Sequence, residues 1–158
     1  MKITKRDDRM NLIMRLKEFY LLEMLQLTLY QSQMDSLQNQ YIYHVYERII
    51  ELEKHHVNYY KSKIEEMGED VPKISGGLFA LAGNFIGETL DLTSAENRYK
   101  LGIAVESKAI DMSRIFILEA WKYPDISKRI WHNMADEEFH LLWFKDNLRH
   151  ITPLIQST

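Results

Sequence analysis

The sequence predicts an all-α protein, a four-helix bundle in which a long crossover connects the second and third helices. Apolar residues recur at helical spacing through four long stretches of the chain. The whole chain contains six Gly and three Pro, too few for the many turns of an all-β fold. With 158 residues and a hydrophobic content of 46%, residues 1–158 suffice for one domain with a single core.

Charge and composition exclude several classes of protein and of site. The formal net charge of −3 and the pI near 6.1 give no electrostatic reason to expect nucleic-acid binding. The absence of cysteine excludes disulfides, iron–sulfur clusters and thiolate-bound zinc. Any metal ion must therefore be held by oxygen and nitrogen atoms.

The beginning of the chain does not have the pattern of a signal peptide. Residues 1–9 are mildly basic, but Arg15, Lys17 and Glu18 interrupt the apolar run that should follow them. No run of 18 apolar residues occurs in the chain, so we expect no membrane-spanning helix. The sequence predicts a cytoplasmic protein.

The first two helices are predicted from long amphipathic patterns joined by a polar turn. Helix one should extend from about residue 7 to residue 38, because no Pro or Gly interrupts its pattern. Residues 35–40 are polar and favour a turn. Helix two should then extend over about residues 40–67, with Gly68 at the position after its C-terminus.

The segment between the second and third helices differs from the rest of the chain. Val71-Pro72-Lys73 ends regular structure, and residues 74–87 are apolar, Gly-rich and almost uncharged. A helix of about 25 residues is roughly 37 Å long, so only a long crossover can return the chain to the start of a parallel helix three. The segment is either a short helix packed on the bundle or a surface for lipid or a hydrophobic substrate, with peripheral membrane contact through residues 74–90.

The last two helices are separated by a proline-containing break. Thr93 and Glu96 have the spacing of a capping box, which predicts that helix three begins after Thr93 and continues to about Trp121. Helix four should cover about residues 125–150. Pro153 is expected to end it.

Charged residues fall on the apolar faces of all four helices. Two pairs have Glu-x-x-His spacing, which puts both side chains on one helix face. Each of the other two helices carries one inward glutamate. This combination is the ligand set of dimetal carboxylate four-helix bundles, and its members are Glu23, Glu53, His56, Glu106, Glu137 and His140.

One such pair would be weak evidence, since exposed helices produce this spacing by chance. The prediction rests on the coincidence of two pairs and two single glutamates. Four buried carboxylates without cations would be destabilised by desolvation and mutual repulsion, or would be protonated. Two divalent ions remove that objection, and oxygen and imidazole ligands suit iron or manganese. The alternative is a metal-free structural bundle, which needs other partners for the carboxylates, although few inward Lys or Arg are visible.

Several neighbouring polar residues have two interpretations. Asp136 and Glu138 are expected to be solvated, and His55 to lie at a helix edge or interface. Asp111 either orients a metal ligand or, more commonly for such a residue, lies on the surface. Tyr30 shares the face of Glu23, so it either donates a hydrogen bond to the site or fills the core.

The order and spacing of these residues resemble those of the ferritin-like superfamily. Within it the resemblance is closest to the demethoxyubiquinone hydroxylases, and next to the rubrerythrin-like proteins. It covers about residues 19–145. The residues that carry it are Glu23 with Tyr30 and Gln33, Glu53-Lys54-His55-His56, the apolar segment 77–87, Ala104-Val105-Glu106, and Asp136-Glu137-Glu138 with His140.

Two features depart from the hydroxylase pattern. That family usually has one more residue between its Asp-Glu-Glu and the ligand His, so here Glu137 supplies the Glu of the Glu-x-x-His pair. The His-Tyr pair that often follows the third-helix Glu is replaced by the sequence of residues 107–113. The metal ligands remain, but no role for that family His is transferred.

The resemblance implies a ferritin-like bundle that holds two iron ions, or manganese, and an oxidoreductase that activates O2 or peroxide. It gives three kinds of ligand: the bridging and catalytic carboxylates Glu53 and Glu137, the terminal carboxylates Glu23 and Glu106, and the nitrogen ligands His56 and His140.

Several activities and partners are compatible with that site. A hydroxylase would take a hydrophobic quinone-like substrate that approaches past residues 74–90. The alternatives are peroxide reduction or ferrous oxidation of the rubrerythrin type, and a non-catalytic iron-binding protein. Because the chain has no cysteine for its own relay, electrons would come from a separate donor protein. Such bundles commonly form homodimers.

Overall fold

Four α-helices form a bundle in the computed structural model, which describes residues 5–73, 94–119 and 122–155. No strand occurs among these residues, so the predicted all-α class and four-helix bundle are confirmed. None of the described helices has a stretch long and apolar enough to cross a membrane. The helices are α1 (Lys5–Met34), α2 (Gln40–Glu66), α3 (Ala95–Glu119) and α4 (Pro124–Ile155).

The directions of the helices follow from polar contacts at their ends. The guanidinium of Arg9, near the start of α1, donates to the carbonyl of Met67, just after α2. Near the same end of α1, Arg15 lies 3.5 Å from Glu119, the last residue of α3. Helix α1 is therefore antiparallel to both α2 and α3.

Helices α2 and α3 consequently run parallel. At the opposite end of the bundle, Arg98 near the start of α3 donates to the hydroxyl of Ser36, just after α1, at 3.3 Å. The chain thus leaves α2 at one end of the bundle and enters α3 at the other. Residues 74–93, predicted to make that crossover, lie outside the described residues.

Helix α1 ends at Met34, four residues earlier than the sequence predicted. Ser36 ends it locally, because its hydroxyl and its backbone N–H donate to the carbonyl of Gln33 at 2.8 and 3.2 Å. A helix carbonyl satisfied in this way needs no further turn. Asn39 then caps α2 by accepting a hydrogen bond from the backbone N–H of Ile42 at 3.1 Å.

Gly68 ends α2 as predicted. Its φ of 74° lies in the left-handed region that glycine adopts without a Cβ penalty. Its N–H donates to the carbonyl of Glu65 at 2.8 Å, and the N–H of Glu69 donates to the carbonyl of Ile64 at 3.2 Å. These bonds satisfy the last carbonyls of the helix.

The cap of α3 differs from the predicted one. The hydroxyl of Ser94 accepts a hydrogen bond from the backbone N–H of Asn97 at 3.1 Å, so Ser94 takes the position predicted for Thr93. Serine and threonine are similarly effective in this role, and a one-residue shift changes little. Thr93 itself and Trp121, the predicted end, lie outside the described residues.

Helix α4 is longer at both ends than predicted. It begins at Pro124, where the fixed φ of proline suits the first helical position and its missing N–H removes no bond. The carbonyl of Tyr123 accepts from the N–H of Ser127 at 2.9 Å. The missing N–H of Pro153 costs the helix one hydrogen bond, yet the helix continues two residues further, to Ile155, so the predicted end at Pro153 is wrong.

Two aromatic clusters fill the core on either side of the inward charged residues. In one, Phe19 stacks on Tyr60 with ring centroids 5.1 Å apart and meets the edge of Phe116 at 5.7 Å. In the other, the ring of Phe144 lies 5.5 Å from that of Tyr30, among Tyr46, Tyr99 and Trp143. On α1, α2 and α3 the inward charged residues lie in a central layer between the members of these two clusters.

Candidate metal centre

All six predicted ligand residues meet in this central layer. Each helix contributes what the sequence predicted, and every member is at most 4% exposed. They form two overlapping groups, in each of which one ligand atom per residue lies within 4.8 Å of the others. The His56 group contains Glu23, Glu53, His56 and Glu137, and the His140 group contains Glu53, Glu106, Glu137 and His140.

The two groups share the carboxylates of Glu53 and Glu137. Glu53 places Oε2 3.5 Å from Nδ1 of His56 and Oε1 3.2 Å from Nδ1 of His140. Glu137 places Oε1 3.1 Å from His56 Nδ1 and Oε2 3.7 Å from His140 Nδ1. Each shared carboxylate therefore directs one oxygen to each imidazole.

The two remaining glutamates each belong to one group. Oε2 of Glu23 lies 3.2 Å from Nδ1 of His56. Oε1 of Glu106 lies 3.5 Å from Nδ1 of His140. The arrangement has an approximate two-fold character, in which α1 and α2 supply one side and α3 and α4 the other.

Several polar atoms of the cluster lack a well-oriented hydrogen bond among the described residues. They are both oxygens of Glu53, Oε1 of Glu137 and both ring nitrogens of His140. Apart from the hydrogen bond between Glu23 and His56, the short distances above bring polar atoms towards a common centre without making good hydrogen bonds. Unsatisfied buried polar atoms are costly unless another group satisfies them. The donor set of carboxylate oxygens and imidazole nitrogens fits iron or manganese, and these buried groups can hold metal ions.

Burial and mutual repulsion act on the carboxyl groups. Desolvation, followed by the charge of Glu137, raises the pKa of Glu23 and of Glu106 well above the ordinary value. Desolvation also acts to raise the pKa of Glu137. Close polar contacts with Glu106, His140 and His56 oppose it and hold the pKa of Glu137 well below the ordinary value.

The surrounding carboxylates raise the pKa of both imidazoles. Burial acts to lower the pKa of His56, but the charge of Glu23 and hydrogen bonds to carboxylates raise it well above the usual range. Burial also acts to lower the pKa of His140, but Glu106 and the neighbouring carboxylates outweigh it and raise the pKa of His140 well above the usual range. In the metal-free cluster these shifts favour the protonated forms of both imidazoles and of Glu23 and Glu106.

Metal binding should therefore release protons, and the apparent affinity for Mn²⁺ should fall as the pH falls. A divalent ion must displace the protons held by groups with raised pKa values, such as His56 and Glu23. Mn²⁺ titration of weakly buffered protein with a pH indicator measures the release. The surface variant Glu138→Gln should behave like the unaltered protein. An affinity that is constant between about pH 6 and pH 8 contradicts the prediction.

Two residues of α1 support the cluster. Tyr30 donates its hydroxyl proton to Oε1 of Glu106, as the first of its two interpretations predicted. The sequence analysis missed Gln26, whose Nε2 donates to Oε2 of Glu106 and Oε2 of Glu137 at 3.1 Å each. Its position three residues after Glu23 on the same face was a signal that could have revealed it.

Asp136 was predicted to be solvated, and it is only partly so. Its side chain is 41% exposed, yet Oδ2 lies 3.2 Å from Nε2 of the buried His56. The hydrogen bond with His56 lowers the pKa of Asp136. Glu138 does lie at the surface, 3.2 Å from Arg114, and Asp111 and His55 are also exposed.

The fold and the cluster define a class: a four-helix bundle with a buried carboxylate and histidine site that can hold metal. Comparisons with protein-family models, curated proteins and solved structures found no match to this chain.

Proposed function

We propose that the protein is a non-haem dimetal oxidoreductase that activates O2 or peroxide, with two iron ions as the cofactor and manganese as the alternative metal. One observation carries the proposal: Glu53 and Glu137 belong to both buried groups, and each directs one oxygen to either side. Carboxylates in this position can hold two cations next to each other. The ferritin-like classification of the bundle is part of the same proposal.

The residues have distinct roles in this proposal. Glu53 and Glu137 would help to hold both ions, while each group would add one carboxylate, Glu23 or Glu106, and one imidazole, His56 or His140. When bound, a pair of ferrous ions supplies the electrons for reducing O2 or peroxide. Gln26 fixes the orientation of Glu106 and Glu137 by donating to both, and the Tyr30 hydroxyl holds the other oxygen of Glu106.

The enclosure of the cluster favours a small oxidant. All six ligand residues are at most 4% exposed, and aromatic rings pack on both sides of their layer. Such walls exclude bulk water and strengthen electrostatic interactions inside. O2 and peroxide are small enough to enter through fluctuations of a closed core. A quinone-like substrate would approach past residues 74–90, which lie outside the described residues.

The proposal is tested by metal analysis followed by turnover assays. Protein from cells supplemented with iron and manganese should contain about two metal ions per chain, and His56→Ala should lose at least one of them. Supplied with ascorbate as the electron source, the ferrous protein should then consume O2 or hydrogen peroxide catalytically. The surface variant Glu138→Gln serves as the control. A wild-type protein without bound metal, or one whose ferrous form consumes neither oxidant, refutes the oxidoreductase.

The same assays separate the alternative activities. Quinone-dependent oxygen consumption indicates a hydroxylase, whereas ferrous oxidation with peroxide and no quinone dependence indicates rubrerythrin-like activity. Stoichiometric iron uptake without turnover indicates a non-catalytic iron-binding protein. Gel filtration would reveal the large cage of a storage protein.

A further inference from the structure

We propose that the two metal positions are unequal: the His56 group binds its ion first and more tightly, because Asp136 fixes His56 as a ligand and His140 has no such support. The inference rests on the proposed dimetal function. Three structural features carry it, concerning the two imidazoles, the residues that precede the shared carboxylates, and the two terminal carboxylates.

His56 is held from both sides of its ring. Nδ1 faces the cluster, where it lies 3.1 Å from Oε1 of Glu137, and Nε2 lies 3.2 Å from Oδ2 of Asp136. A proton on Nε2 donates to Asp136 and leaves the Nδ1 lone pair free for a metal ion. A carboxylate on the outer nitrogen fixes the tautomer and ring orientation and makes the imidazole a stronger donor.

His140 lacks this arrangement. Its Nδ1 also faces the cluster, 3.2 Å from Oε1 of Glu53. Its Nε2 is buried and makes no hydrogen bond within the described part of the chain. No group there bonds to the outer nitrogen of His140, so its tautomer and ring orientation are less constrained than those of His56.

The sequence explains the difference between the two imidazoles. Asp136 immediately precedes Glu137 on α4 and reaches across to His56 on α2. The equivalent position on α2, immediately before Glu53, is Leu52, which has no acceptor. The ligands of the two groups are therefore approximately symmetric, but the residues that precede Glu53 and Glu137 are not.

The two terminal carboxylates also differ in a way that favours tighter binding by the His56 group. Both oxygens of Glu106 accept hydrogen bonds, Oε1 from Tyr30 and Oε2 from Gln26 at 3.1 Å. Oε2 of Glu23 instead faces His56 Nδ1 at 3.2 Å, a nitrogen that would bind the same ion. Hydrogen bonds to an oxygen withdraw electron density from it, so Glu106 is the weaker donor to a cation.

Two matched variants isolate the two positions. Glu106→Ala removes a ligand of the His140 group alone, and Glu23→Ala removes a ligand of the His56 group alone. Each should retain one Mn²⁺, counted from the loss of the electron paramagnetic resonance signal of free Mn²⁺. We expect Glu106→Ala to bind its ion at least about tenfold more tightly than Glu23→Ala. Far-ultraviolet circular dichroism checks that both variants fold.

Asp136→Asn in each background tests the cause. With Glu106→Ala it should weaken Mn²⁺ binding by about 10- to 100-fold, the usual range for a lost partner of a ligand imidazole. With Glu23→Ala the same change should have little effect. Glu138→Gln, also on α4 and about as exposed at 48%, should alter neither affinity. A purely structural defect would weaken both backgrounds equally.

The possible results separate this inference from the function on which it rests. Absence of Mn²⁺ and Fe²⁺ binding by the unaltered protein contradicts the dimetal site itself. Two bound ions with equal affinities in the two single-site variants overturn the inequality and leave the dimetal site standing. An equal effect of Asp136→Asn in both backgrounds overturns the role of Asp136. If a single-site variant fails to fold, Asp136→Asn in the otherwise unaltered chain should still weaken the first of the two Mn²⁺ binding steps, and an unchanged first step overturns the inference.

Discussion

Replacing Glu53 with glutamine should weaken binding of both metal ions, whereas Glu23→Gln should weaken one. Glutamine keeps the shape of glutamate, but its amide nitrogen has no lone pair for a cation, so it cannot bridge two ions. Glu53 belongs to both groups and Glu23 to the His56 group alone. At a Mn²⁺ concentration that saturates the unaltered protein, we expect fewer than one ion per chain in Glu53→Gln and about one in Glu23→Gln. Elemental analysis after gel filtration measures both.

The stability of the same variants should follow their metal content. An ion present at 100 times its dissociation constant raises the free energy of unfolding by about 2.7 kcal/mol. Urea denaturation with and without Mn²⁺ should show that the ions stabilise the unaltered protein by roughly twice this amount. The stabilisation should be about half as large in Glu23→Gln and almost absent in Glu53→Gln. Glu138→Gln is the control at the surface. Retention of two ions and full stabilisation by Glu53→Gln would falsify the bridging role.

The six residues of the cluster could be predicted from the sequence, because helical spacing and the cost of burying charge are enough to identify them. Within each Glu-x-x-His pair, the Glu and the His lie on the same face of their helix whatever the tertiary structure. That face was identified by the apolar neighbours of residues such as Glu106, which is fully buried. The position of Tyr30 near the site followed from the same periodicity.

Asp136 and the end of α1 could not be predicted in this way. Asp136 lies about 100° around the helix from Glu137, so the pattern of α4 alone places it towards solvent. Only the position of His56 on a different helix gives it a partner. Helix α1 ends where Ser36 bonds to the carbonyl of Gln33, a local competition that hydrophobic periodicity does not report.

The directions of the helices illustrate an intermediate case. The crossover was predicted from the length and composition of the segment after Gly68, and the parallel course of α2 and α3 depends on contacts between distant residues. Arg9 with Met67 and Arg15 with Glu119 establish it. Neither pair can be recognised in the sequence, because exposed Arg and Glu residues occur on every helix.

Gly102→Val should destabilise the bundle strongly, because Gly102 lies against the fully buried ring of Phe144. A Cβ atom at this position would lie 2.8 Å from Cδ2 of Phe144 and 2.9 Å from its Cδ1 and Cε1. The Phe144 side chain is fully buried, with the rings of Tyr30 and Trp143 at 5.5 and 5.2 Å. Gly102→Ala gains about 1 kcal/mol in helix propensity, against about 1–3 kcal/mol for overpacking. Valine adds two methyl groups, so we expect it to lower the free energy of unfolding by at least about 3 kcal/mol.

A double-mutant cycle tests this explanation. Phe144→Leu removes the ring and costs stability by itself, but Gly102→Ala should be less destabilising in that background than in the unaltered chain. Urea denaturation of metal-free protein measures all four variants and keeps metal binding out of the comparison. Additive effects would show that the contact with Phe144 is not the cause.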